Sequence, residues 1–244
     1  MALYPAAVKR LLPENKTQTK IKPTQVILHS AVDAPGPTSL YPYFARVDVN
    51  LESHFFVKLD GVVEQYMDTT VRGDANYHAN LRSDGTGAIS IETEDEGNPN
   101  QRPWTTAQIK AIKALIEWIW ETHPGVAKSV CGATDDPGIG YHSMWGAPSA
   151  WTPVPGKTCP GTIRIEQWHI IFVPWIRSYE EDDLAFTKAE LTEIVRDAVQ
   201  AEFATLGDET RTALVEMLAR EIRQESGRLN QALDAWADAR EVSE

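Results

Sequence analysis

The sequence predicts an α/β fold: a mixed central β-sheet flanked by helices, followed by a C-terminal all-α tail. Three observations predict it. Short apolar runs rich in Val, Ile and Phe recur between residues 24 and 94, as half-buried strands require. A single long amphipathic pattern follows over 105–122. From Tyr179 onward the composition turns acidic and helical, so the chain divides into a domain of residues 1–178 and a tail of residues 179–244.

Taken in order, residues 1–20 carry one apolar patch and read as an arm without a predicted element. Thr24 to Ser30, TQVILHS, is a short buried strand, and His29 stands where it runs out. Pro35-Gly36-Pro37 marks a turn in the loop that follows. Ser53 to Met67, SHFFVKLDGVVEQYM, is a β-hairpin whose apolar arms meet at Asp60-Gly61, a dipeptide suited to tight turns. His78 lies on the next loop. Ala88 to Glu94, AISIETE, is a strand with Ile89 and Ile91 on one face and Ser90 and Glu92 on the other.

Thr105 to Thr122 is the clearest helix. Ile109, Ile112, Leu115, Ile116 and Ile119 recur at spacings of three and four, and Thr105 with Gln108 fits a capping box. His123-Pro124-Gly125 ends it, with His123 placed where a cation is mildly favourable. Gly140 to Gly161 is too rich in Gly and Pro to be a regular element. Thr162 to Trp175 resumes a helical pattern that closes the domain. YEEDDLAF is an acidic linker, and beyond it Val215, Ile222, Leu229 and Trp236 recur every seven residues. That weak heptad seam offers a route to a homo-oligomer through the C-terminal helices; an amphipathic helix folded on the domain fits equally.

Composition excludes several classes. The 42% apolar content and eight Trp of the 244 residues describe a packed globular chain. No apolar run approaches the roughly 20 residues of a membrane span, so no membrane insertion is expected. The N-terminus lacks a basic segment leading into a long apolar run, the mark of a secretory signal. Most of the net charge of -12 falls in the tail, and so acidic a chain repels phosphates. No nucleic-acid partner is expected. Two cysteines outline no disulfide framework.

The segment from Gly140 to Gly161 brings His142, Lys157 and Cys159 close in sequence. A cation two residues from a thiol favours the thiolate, so this pairing points to either a metal site or a thiol–histidine pair. Adding His29 makes three N/S ligands with a fourth tetrahedral corner open, the arrangement of a catalytic rather than a structural zinc. His54 and His169 need no catalytic role, and Cys131 reads as a buried small hydrophobe.

The ordered set VILHS, SHFFVKLDGVVEQY, YHA, AISIETE, GYHSMWG and GKTCPG over residues 24–177 resembles the zinc-dependent N-acetylmuramoyl-L-alanine amidases. More closely it is similar to the branch that includes phage endolysins and peptidoglycan recognition proteins. The resemblance implies a mixed sheet flanked by helices. It implies hydrolysis of the amide joining N-acetylmuramic acid to the L-alanine of the peptide stem, with peptidoglycan as the partner. It places the Zn2+ ligands on His29, His142 and Cys159, and the oxyanion donor on Lys157. The general base falls on Glu92; members that use a Tyr before the hairpin histidine have their counterpart here in Ser53. The resemblance sets Tyr77 and His78, in the aromatic-His-Ala triplet, to line the substrate cleft, where His78 would hydrogen-bond the intermediate; a loop-anchoring role for His78 fits equally. An endolysin of this kind waits in the host bacterial cytoplasm until release and then acts on the cell wall. The alternative is a non-catalytic peptidoglycan-binding module of the same fold.

Overall fold

The computed structural model describes residues 1–32 and 39–183. The turn expected at Pro35-Gly36-Pro37 and the heptad seam from Val215 to Trp236 lie outside them. Six strands are present among the described residues: β1 (Val8–Lys9), β2 (Lys22–Leu28), β3 (Phe55–Val57), β4 (Val63–Gln65), β5 (Thr86–Thr93) and β6 (Gly138–Tyr141). They form one mixed sheet in the order β1-β4-β3-β5-β2-β6. Only β3 and β4 pair antiparallel, as the predicted hairpin; every other neighbouring pair is parallel. The hairpin turns at Gly61, whose φ of 85° suits glycine.

The parity of the strands decides what lies on each face. Val26 and Leu28 of β2 and Ile89 and Ile91 of β5 are fully buried in one cluster with Ile112, Leu115, Ile116 and Ile119. Those four belong to helix α2 (Thr106–Thr122), after the short α1 (Tyr41–Phe44). Each fully buried Leu or Ile contributes roughly 1.5–3 kcal/mol relative to exposure. The capping box forms: Thr105 Oγ1 accepts from the Gln108 N–H at 3.0 Å, and Gln108 Oε1 accepts from the Thr105 N–H at 3.1 Å. At the other end, His123 Nε2 lies 2.7 Å from Thr69 Oγ1 and burial lowers the pKa of the ring. It sits there as a neutral partner, not as the cation expected at a helix C-terminus.

The expected closing helix is built as α3 (Thr162–Gln167), a π-helical turn over Trp168–Phe172, and α4 (Val173–Asp183). The wide turn directly precedes Pro174, which has no N–H for the Ile170 carbonyl and would clash with it in a regular helix. Trp168, Phe172 and Ile176 join the α2 cluster. Because α4 runs on to Asp183, the acidic stretch read as a linker begins as helix.

Two elements differ from the expectation. The N-terminal arm supplies an edge strand, with Val8 beside Glu64 and Lys9 beside Gln65, and Leu12 is buried. A two-residue strand is too short to leave a periodic signal. The start of the Gly/Pro-rich segment is also regular: β6 pairs in parallel with β2, Ile139 beside Val26 and Tyr141 beside Leu28. Its glycines disguise it, and Gly140 has a steric reason. A Cβ there would lie 2.6 Å from Cη2 of Trp151, a fully buried ring packed with Ile27, Ala79, Ala88 and Cys131 on the sheet face away from α2. Cys131 is, as expected, a buried small group, its thiol pushed up to about 12 by burial.

Gly140→Ala should therefore lower unfolding free energy by about 1–3 kcal/mol, the usual cost of overpacking. Denaturant unfolding checks this; an unchanged midpoint would show that Trp151 has room to shift.

Candidate metal centre

The site grows from the C-terminal ends of three adjacent parallel strands, the edge at which open α/β sheets bind their ligands. The His29 N–H donates to the Ile91 carbonyl at 2.8 Å and the His142 N–H to the Leu28 carbonyl at 3.1 Å, so both histidines extend the backbone ladder of β2. His29 shares the parity of Ile27, and Glu92 that of Ser90, which places both on the face opposite α2. Cys159 arrives from the loop. The Ser30 N–H lies 3.3 Å from its Sγ, and the Cys159 carbonyl accepts from the Ser143 N–H at 3.0 Å. A nitrogen from each imidazole and the sulfur all lie within 4.8 Å of one another, and all three residues are buried. The ring centroids are 4.2 Å apart.

Each imidazole is held by its outer nitrogen. His142 Nε2 lies 2.9 Å from the Trp151 carbonyl, which only accepts, so the ring proton belongs on Nε2 and Nδ1 keeps its lone pair. That Nδ1 is buried without a hydrogen-bond partner. His29 Nε2 lies 2.7 Å from Asn76 Oδ1, while its Nδ1 faces Cys159 Sγ at 3.9 Å. Outer nitrogens anchored and inner lone pairs convergent is the orientation of metal-bound histidines.

Electrostatics agree. Burial lowers the pKa of His29 well below the ordinary imidazole value, with His142 adding to it. Burial, helped by the Lys157 ammonium, brings His142 down to about 4. Both rings are therefore neutral at pH 7 and available as ligands. The thiol departs from the expectation: burial first, then the Glu92 carboxylate, push Cys159 up to about 12. Lys157 pulls the other way, but it is exposed and its effect is smaller. Desolvation outweighs the cation, so the unliganded group is a thiol. Two neutral imidazoles, one with an orphaned buried nitrogen, and a thiol make a donor set that fits a soft divalent cation, whose charge would displace the thiol proton.

The remaining candidates surround this cluster. Glu92 Oε1 lies 3.8 Å from His29 Nδ1, with its side chain 12% exposed. Tyr77 and His78 are exposed, with ring centroids 3.8 Å apart, on a 3-10 turn that starts directly after Asn76. Ser53 is buried and bonded to Ser90 and the Phe55 carbonyl. His54, read as structural, is buried between Ser90 and the Val71 carbonyl.

Sequence reasoning missed the residues that hold the ligands in place. Asn76 carried one signal, its position before the Tyr-His-Ala triplet. Trp151 lies within the Gly/Pro-rich segment; its ring is buried and its carbonyl orients His142, so it packs the site from beneath. Thr93 and Arg164 gave no sign. Thr93 Oγ1 donates to the His29 carbonyl at 2.6 Å and accepts from Trp104 Nε1 at 2.9 Å and Arg164 Nη1 at 2.7 Å. All the bonding capacity of one hydroxyl is thus spent on fixing the strand end that carries His29.

A family model described as N-acetylmuramoyl-L-alanine amidase matches residues 17–162. No curated protein sequence matches the chain. Among solved structures, the N-acetylmuramoyl-L-alanine amidase LysC from Clostridium intestinale is 16% identical with a TM-score of 0.43, over 70% of this chain and 99% of that one. A mutant endolysin from Bacillus subtilis is 15% identical with a TM-score of 0.48, over 72% and 98%. The Drosophila peptidoglycan recognition protein SA is 13% identical with a TM-score of 0.44, over 67% and 91%. These TM-scores lie below 0.5, so the assignment rests on the family match, which takes in more than half of the chain and all three clustered residues from His29 to Cys159: the chain belongs to the N-acetylmuramoyl-L-alanine amidase family.

Proposed function

We propose that the chain is a zinc-dependent hydrolase of the amide between the lactyl group of N-acetylmuramic acid and the L-alanine of the peptidoglycan stem. The observation that carries this reading is the convergence of His29, His142 and Cys159 within 4.8 Å, with the outer nitrogen of each ring already anchored. Three protein ligands leave the fourth corner of a tetrahedron open. Zinc held by His29, His142 and Cys159 would supply Lewis acidity.

The chain's own groups then divide the proton and charge work. Glu92, beside the ligand set, accepts a proton from the water as its oxygen adds to the carbonyl carbon. The carbonyl oxygen gains the electron pair of the broken π bond. In this reading Lys157, whose ammonium helps to lower the pKa of His142, stabilises that charge. When the C–N bond breaks, Glu92 returns the proton to the departing L-alanine amine. Ser53 is buried and engaged elsewhere, which favours Glu92 as the base. Tyr77 and His78 contact the substrate from the neighbouring turn. In this reading the protein is a phage or prophage endolysin, held in the host bacterial cytoplasm until release and then active on the cell wall. A non-catalytic binding module is the second reading, and the intact third donor at Cys159 weighs against it.

Cys159→Ser should lose zinc and amidase activity together, with an affinity loss beyond the roughly 10–100-fold that follows removal of a ligand's outer partner. Metal content after dialysis against a chelator checks this; full zinc retention would remove Cys159 from the ligand set. Glu92→Gln should keep zinc yet release stem peptide from sacculi about 100-fold more slowly or worse; an unchanged rate would place the base elsewhere.

Zinc binding should also release one proton at pH 6. Both imidazoles are already neutral there, with His142 at about 4, whereas the thiol at about 12 must give up its proton. Affinity therefore falls about tenfold per unit drop in pH near 6. Calorimetry in buffers of different ionisation enthalpy counts the protons, and a count of zero or three would contradict the assigned ionisation states.

A further inference from the structure

Asn76 is fully buried, and its place in the site has a consequence for where a proton sits. Its backbone N–H donates to Asn80 Oδ1 at 2.6 Å, which fixes the start of the turn bearing Tyr77 and His78. Its side-chain Oδ1 lies 2.7 Å from His29 Nε2. Its Nδ2 is buried without a hydrogen-bond partner. Buried amides normally satisfy their N–H groups, so a residue kept here in that state is kept for its oxygen.

On the other side of the same ring, Nδ1 lies 3.8 Å from Glu92 Oε1. A neutral imidazole has one proton and two places to put it. Asn76 draws it to the outer nitrogen and Glu92 draws it to the inner one. A carboxylate is the stronger acceptor, but 3.8 Å is beyond hydrogen-bond reach and 2.7 Å is within it. We propose that Asn76 is a positioning residue that keeps the His29 proton on Nε2, leaving the Nδ1 lone pair for the metal. The inference rests on the metal-site reading given above. Without the amide oxygen, Nε2–H would be buried with no acceptor from residue 76. The proton then moves to Nδ1, on the side of Glu92 and Cys159, which blocks a ligand.

The test uses the full chain with 15N-labelled histidine, as native protein, Asn76→Leu and Asn76→Asp. Leucine keeps the volume and removes the acceptor; aspartate keeps an acceptor. In metal-free protein at pH 7.5, the imidazole 15N shifts should report Nε2–H at His29 for the native chain and Asn76→Asp. Asn76→Leu should show a shift toward Nδ1–H. Chelator competition should give zinc affinity 10–100-fold weaker for Asn76→Leu and native or tighter for Asn76→Asp, with KM for cell-wall fragments little changed in the zinc-loaded proteins. Native tautomer and native zinc affinity in Asn76→Leu would overturn the proposal, and so would equal weakening in both variants, which marks a packing role. If circular dichroism shows that Asn76→Leu does not fold, the aspartate variant decides by the same shifts and affinity. A native chain that binds no zinc would overturn the metal-site reading, while the 15N shifts of the metal-free protein still decide where Asn76 holds the proton.

Discussion

The placement of β2 between β5 and β6 is the constraint from which the site follows. Parallel pairing on both sides sets the three strands in register, and their C-terminal ends release His29, Glu92 and His142 at one edge of the sheet. Ladder bonds continue past the strands themselves, from the His29 N–H to Ile91 and from the His142 N–H to Leu28. The distance between the two imidazoles is thus a property of the sheet, not of flexible loops. Only Cys159 is carried by a loop, and that loop is tied back through Ser30 and Ser143.

Burial acts on this cluster in two directions. It keeps both imidazoles neutral, the state in which they donate a lone pair, and it keeps the thiol protonated, the state in which it does not. A bound dication would reverse the second effect, because its charge in a poorly solvated site would outweigh the desolvation of a thiolate. Without metal the cluster's two imidazoles and thiol carry no charge that burial would penalise, and a metal would draw out the anionic sulfur. Around it, Asn76, Thr93, Trp151 and Arg164 spend their polar atoms on orientation. Rigid support of this kind is what a catalytic constellation needs, since small errors of placement cost large factors in rate.

Legibility in the sequence varied with the physical origin of each feature. The hairpin, β5 and α2 were readable because period-2 and period-3.6 patterns come from burying one face of a local element. Strand β6 was not, since glycine carries no hydrophobic signal and was needed there to admit the Trp151 ring. The arm strand was too short to show periodicity. At the site, the grouping of His29, His142 and Cys159 was legible through residue type and motif order. The thiol's ionisation was misjudged because adjacency to Lys157 is visible in sequence and burial is not. Arg164 lies 71 residues from the Thr93 hydroxyl it holds, and no local pattern marks such a pair.

By itself the sequence determined which chemical groups were present and which local elements would carry them, because propensity, capping and periodicity act between near neighbours along the chain. The tertiary structure decided what those groups are in practice. It decided that a thiol beside a lysine stays protonated, that a tryptophan in the Gly/Pro-rich segment packs beneath a histidine, and that an asparagine next to the aromatic-His-Ala turn grips the outer nitrogen of His29. Each of these depends on distance and desolvation between segments far apart in the chain, which only the folded sheet brings together.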